Sequence, residues 1–156
     1  MKQMTRAWLV GLSLSSACSP GFEPREGRWE FVVGEVLDDG CGEITERLAV
    51  DFRLETKRGG RFTVEPVDGS GASPCELAGM EFECPEHLVR VTIKGTDAIL
   101  DASMTEVGSF ASETEGSGRR DARVVCTGGQ CPLVAAATQT TFPCTAALEF
   151  MAAHVE

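Results

Sequence analysis

The sequence predicts an all-β domain, an antiparallel meander of about eight strands that is closed as a barrel or folded as a β-sandwich and stapled by disulfides. Apolar and polar residues alternate with period two over most of the chain beyond residue 27, the pattern of strands with one buried and one wet face. Clusters of Gly, Asp, Ser, Thr and Lys interrupt that pattern at short intervals and leave no room for the crossover helices a parallel sheet needs. Cys41, Cys75, Cys84, Cys126, Cys131 and Cys144 are an even set, as a disulfide framework requires.

Residues 28–37 form the expected first strand, with Trp29, Phe31 and Val33 on one face. In residues 48–55, Leu48, Val50, Phe52 and Leu54 alternate with Ala49, Asp51, Arg53 and Glu55, so one face of this strand is wet. Lys57-Arg58-Gly59-Gly60 supplies a turn, and residues 61–67 return with Phe62 and Val64 on one face, which makes the pair a hairpin. Further strands are expected at 80–84, 88–93, 98–107, 121–127, 133–141 and 145–153. Turn-forming clusters at 68–71, 94–97, 115–118 and 127–130 separate them. Alanine gives 133–137 and 145–154 some helical propensity. In the last segment, Leu148, Phe150 and Ala152 alternate against Glu149, Met151 and Ala153, which favours a final strand. Arg119, Arg120 and Arg123 are flanked by Glu113, Glu115 and Asp121 and read as a solvated hairpin tip.

The N-terminus carries an address. Lys2 and Arg6 precede an apolar run from Ala7 to Leu14, too short to span a bilayer, and Ser15-Ser16-Ala17-Cys18 follows. Residues 1–17 therefore read as a secretory signal peptide. Leu14-Ser15-Ser16-Ala17-Cys18 resembles the lipobox of bacterial lipoproteins, and the resemblance implies that Cys18 is acylated and becomes the first mature residue. It further implies a lipid-anchored protein in the envelope of a Gram-negative bacterium, in the periplasm or at the outer membrane; Ser19 after the acylated cysteine fits outer-membrane sorting. Residues 18–27, CSPGFEPREG, have little to bury and read as a flexible tether, leaving 28–156 as one β domain. Gly27-Arg28-Trp29 resembles the Gly-x-Trp that opens the first strand of lipocalins. The second lipocalin motif, Thr-Asp-Tyr, has no counterpart in a chain without tyrosine, so the resemblance implies a closed meander and nothing about the ligand.

Without the signal the chain has 12 basic and 24 acidic residues. A net charge near −12 excludes nucleic acid as a partner, because phosphate contacts need clustered Lys and Arg. No Gly-x-Ser-x-Gly, His-Glu-x-x-His, P-loop or dinucleotide fingerprint occurs. His87, after Cys84-Pro85-Glu86, and His154, near the end, are both expected at the surface. Cys126, Cys131, Cys144 and His154 are zinc-ligand types, but Cys126-x₄-Cys131 stands alone and export favours disulfides. Glu35, Asp38, Asp39 and Glu43 crowd Gly40-Cys41-Gly42, where an Asp-Asp-Gly turn explains them without calcium. No catalytic residue, metal or cofactor is expected.

Strand order also suggests the cysteine pairs. In a closed meander the first and last strands are neighbours, which puts Cys41 beside Cys144 across the seam. Cys126 with Cys131 and Cys75 with Cys84 are then local pairs. The inward candidates are Ala98, Ala102, Ala122, Ala135, Ala137 and Ala147, with Phe52, Phe62 and Phe82. Their small members leave room for a small apolar ligand, or pack with the rings to fill the barrel. The functional expectation is a non-catalytic envelope lipoprotein that holds such a ligand, or one that presents a surface to an envelope protein.

Overall fold

The computed structural model describes residues 22–156; the expected signal peptide, 1–17, and Cys18 lie outside them. Eight antiparallel strands follow one another around a closed barrel. They are β1 (Gly27–Asp39), β2 (Phe52–Lys57), β3 (Arg61–Pro66), β4 (Ser73–Ala78), β5 (Glu81–Thr92), β6 (Ile99–Ser112), β7 (Glu115–Thr127) and β8 (Cys144–Val155). Two short helices, α1 (Glu43–Arg47) and α2 (Cys131–Ala137), sit at one end, after β1 and before β8. No helix among the described residues is long and apolar enough to cross a membrane.

The other end is filled with aromatic rings. Trp29, Phe31, Phe52, Phe62, Phe82, Phe110 and Phe150 are all buried in one cluster, with Phe31 stacked on Phe150 at 4.7 Å and Phe82 against Phe110 at 5.1 Å. Glycines on the facing strands make the space. A Cβ on Gly108 would meet the Ser117 carbonyl and come within 2.6 Å of the Phe82 ring, and one on Gly118 would come within 2.8 Å of Phe150. Gly108→Ala is therefore expected to cost about 3 kcal/mol, the upper part of the range for overpacking. Urea denaturation against an exposed control, Ser117→Ala, measures it. A Gly108→Ala protein as stable as that control would show that the rings are not held by this fit.

Residues 115–118 are thus strand rather than the expected turn. The β6–β7 hairpin instead turns at Glu113 and Thr114, with Ser112 opposite Glu115. The glycines there serve close packing, and Arg120, expected at a solvated tip, lies in mid-strand and buried.

Residues 22–27, part of the expected flexible tether, are packed against the domain. Phe22 packs on Phe110, Pro24 is buried, and the Arg25 amide donates to the Glu113 carbonyl at 2.7 Å. The Trp29 indole N–H donates to the Arg25 carbonyl, while Glu26 accepts from both the amide and the hydroxyl of Thr56. These bonds hold the Glu26 carboxyl below the usual range, the Thr56 hydroxyl contributing most. His154 is not a frayed surface residue either. Half-buried, its ring meets Trp29 edge-on and its Nε2 lies 3.1 Å from the Glu26 carbonyl.

Around the ring the pairing is uneven. β1 pairs β8 from Arg28 to Asp39 but pairs β2 only at Gly27, Arg28 and Trp29. Residues 40–51, including α1, fill the gap beside the upper half of β1. Cys41 and Ile44 are buried against Val124, Cys144 and Ala146, and Asp51 takes the Phe31 amide and the Arg28 guanidinium. Those two bonds, that to Arg28 foremost, keep the Asp51 carboxyl below its ordinary value. Disulfides join Cys41 to Cys144, Cys75 to Cys84 and Cys126 to Cys131, with Cα separations of 5.1, 4.1 and 5.9 Å. No cysteine among the described residues is left to hold zinc.

Four element expectations give way. Residues 48–51, expected as the first half of a strand, are a turn and loop after α1, and β2 begins only at Phe52. Ser73–Ala78, for which no strand was expected, is β4, with Ser73 and Cys75 buried. Residues 80–84 and 88–93 are one strand, β5, whose register shifts between Cys84 and His87. Residues 133–141 are not a strand; Pro132 in the first turn starts α2 instead.

Candidate ligand-binding cavity

Above the aromatic plug the barrel is hollow. The cavity has a volume of about 550 Å³ and a predominantly apolar wall. Val89 and Val91 of β5, Leu100, Ala102 and Met104 of β6, Val124 of β7 and Val64 of β3 form its sides, and Phe52 belongs to its floor. This size lies within the roughly 300–1,000 Å³ typical of small-molecule sites. Of the inward candidates, Ala102 and Phe52 line the space and Ala122 packs with Val89 and Met104 beside it. Phe62 and Phe82 belong to the plug. Ala98 is buried near the β5–β6 turn, Ala135 and Ala137 lie on α2 with Ala137 at the rim, and Ala147 is buried on the side of β8 opposite Ala146 and Leu148.

The mouth is framed by Ile44 and Arg47 of α1, Asp68 and Ser70 in the β3–β4 loop, Thr96 in the β5–β6 turn, and Leu133 and Ala137 of α2. Both helices are fastened. The Cys41–Cys144 bond holds the start of α1, and the Thr140 hydroxyl donates to the Cys41 carbonyl. α2 is held by Cys126–Cys131 and by Asp97, whose carboxylate accepts the amides of Gly129 and Gln130 at 2.9 Å each. These amides, Gly129 first, lower the Asp97 pKa. The sign follows from linkage: a lowered carboxyl stabilises the fold above its unfolded pKa and loses that contribution as pH falls through the lowered one. The anchor therefore persists through neutral pH and weakens only in acid.

At the base of the cavity, polar groups meet the plug. Arg120 on β7 and Glu106 on β6 lie opposite each other in register, and both side chains are 6 % exposed. Arg120 donates from Nε to Glu106 Oε1 at 3.1 Å, and one of its terminal nitrogens lies 2.9 Å from the same oxygen. Its other terminal nitrogen donates to the Leu48 carbonyl. The guanidinium also rests over the Phe31 ring, 4.5 Å from its centre. His87 lines the wall one strand away, paired with Met104, and its Nδ1 is buried without a hydrogen-bond partner among the described residues.

Neither the ion pair nor His87 was expected here. The signal for the pair was present in the alternation. Counting back by twos from Val124 and Ala122 reaches Arg120, and counting forward from Ala102 and Met104 reaches Glu106. His87 gave no such signal, because the register shift after Cys84 changes which parity faces inward. The acidic residues around Gly40 form no site. Asp38 accepts from the Thr145 hydroxyl and the Gly40 amide, Thr145 foremost in lowering its pKa. Among the described residues, no group of three or more His, Cys, Asp or Glu is placed to hold a metal ion.

Compared with known proteins, the chain matches no family model, no curated protein and no solved structure.

Proposed function

We propose that this chain is a lipid-anchored lipoprotein of a Gram-negative cell envelope that binds a small apolar ligand in its barrel and does no catalysis. The observation that carries the reading is the apolar cavity of about 550 Å³ above the aromatic plug. The ion pair at its base supports it as a site with a fixed orientation, since apolar walls with few polar groups are how small-molecule sites combine affinity with specificity. The fluorescence of N-phenyl-1-naphthylamine, a neutral apolar probe, tests it. Wild-type protein is expected to bind the probe saturably, one per chain. Ala102→Trp, which places a ring in the cavity, is expected to weaken binding at least tenfold. Absence of saturable binding, or equal binding by a folded Ala102→Trp variant, would overturn the reading.

The anchor is tested separately. Cys18→Ser is expected to move the protein from the detergent phase to the aqueous phase and to abolish labelling by palmitate analogues, because stable anchoring needs more than one acyl chain on the protein. Wild-type protein found unlabelled in the aqueous phase would remove the lipoprotein assignment. A second reading, a lipoprotein that docks an envelope protein, draws on the upper half of β1, where Val32, Val33, Val36 and Leu37 are exposed. Probe binding by the cavity distinguishes the first reading from it.

A further inference from the structure

We infer that the cavity selects an uncharged amphiphile whose head group donates a hydrogen bond, a long-chain alcohol in its simplest form, and rejects the carboxylate and the ammonium of the same chain. The inference rests on the cavity being a ligand site and adds the chemistry of the ligand's polar end. Glu106 and Arg120 neutralise each other in a space where both are almost fully desolvated. A charged head group entering there would be the one unpaired charge in a low-dielectric chamber, which is strongly disfavoured whichever its sign. The carboxylate meets a second obstacle, because it brings like charge toward Glu106.

The pair is neutral but not saturated. Both Arg120 contacts to Glu106 use Oε1, so Oε2 has no protein partner among the described residues. A carboxylate oxygen accepts and cannot donate, so the ligand must bring the proton. Ser73, 2 % exposed, also lines the cavity. A ligand hydroxyl can donate to Glu106, whereas an alkane leaves that oxygen unanswered. The remaining wall around them, Val64, Val89 and Met104, suits the alkyl chain.

Displacement of N-phenyl-1-naphthylamine by 1-decanol, decanoate and decylammonium, in mildly alkaline buffer and with the full disulfide-bonded protein, tests this ranking. Decanol is expected to displace the probe at a concentration at least tenfold below either charged chain. In Glu106→Gln the acceptor stays but its charge is gone, leaving Arg120 uncompensated, and the ranking is expected to invert in favour of decanoate. Circular dichroism establishes whether that variant folds, and the wild-type ranking stands without it. Decanoate or decylammonium matching decanol in wild type, or a folded Glu106→Gln that keeps the alcohol preference, would overturn the inference while leaving the cavity a ligand site. Failure of the probe itself to bind would instead remove the site and the inference together.

Discussion

Replacing Cys41 and Cys144 together by alanine is expected to lower the unfolding free energy by about 4.7 kcal/mol, the chain-entropy value for a closed loop of roughly a hundred residues. The bond spans 103 positions, nearly the whole barrel, so without it the unfolded chain regains most of its freedom. Small domains have about 5–15 kcal/mol of stability in all, so the variant should populate unfolded protein at moderate temperature. The same model gives only about 2 kcal/mol for the short loop that Cys126 and Cys131 close, five positions apart. Urea denaturation of the two double variants measures both. Equal losses, or a larger loss at Cys126–Cys131, would refute the claim that the seam bond stabilises the barrel through loop length. Probe binding should also weaken in the Cys41/Cys144 variant, since α1 frames the mouth and is fastened there.

Arg120→Met is the second large effect. It leaves Glu106 buried and unpaired and removes the donor to Leu48, and breaking such a pair costs about 3–5 kcal/mol. The double variant Glu106→Leu/Arg120→Met removes both charges. It should recover all but about 1–3 kcal/mol, the cost of the unanswered Leu48 carbonyl. A double-mutant cycle by chemical denaturation reads the coupling directly. Additive losses would mean that water reaches the pair and that the two groups do not depend on each other.

These residues mark what the sequence discloses and what it hides. Period-two alternation announces a half-wet strand wherever the pairing is regular, so β2, β3, β6 and β8 were legible from residues such as Phe52, Phe62, Ala102 and Leu148. Once the strands were in order, the neighbouring first and last strands put Cys41 beside Cys144. Alternation says nothing where a side chain's role departs from its usual one. Gly116 and Gly118 look like turn residues, and only the rings of Phe110 and Phe150 beside them explain why they lie in a strand. Arg120 carries a charge that suggests water, and the compensating Glu106 is fourteen positions away. α1 and α2 are too short for a helical period to emerge, and their positions are set by disulfides and by the gap beside β1 rather than by local preference.

The docking of residues 22–26 on the closed end gives the molecule an orientation. In the lipid-anchored reading, four peptide steps separate Cys18 from Phe22, a reach of at most about 14 Å. Phe22 already packs on Phe110, so in that reading the plugged end would be tethered close to the bilayer, with the open end at the opposite pole of the barrel facing away from it. So anchored, the molecule would stand on the membrane like a cup on its base. Cargo would be exchanged with whatever passes through the aqueous space above, and delivery into the underlying leaflet would require the cargo to leave the protein first.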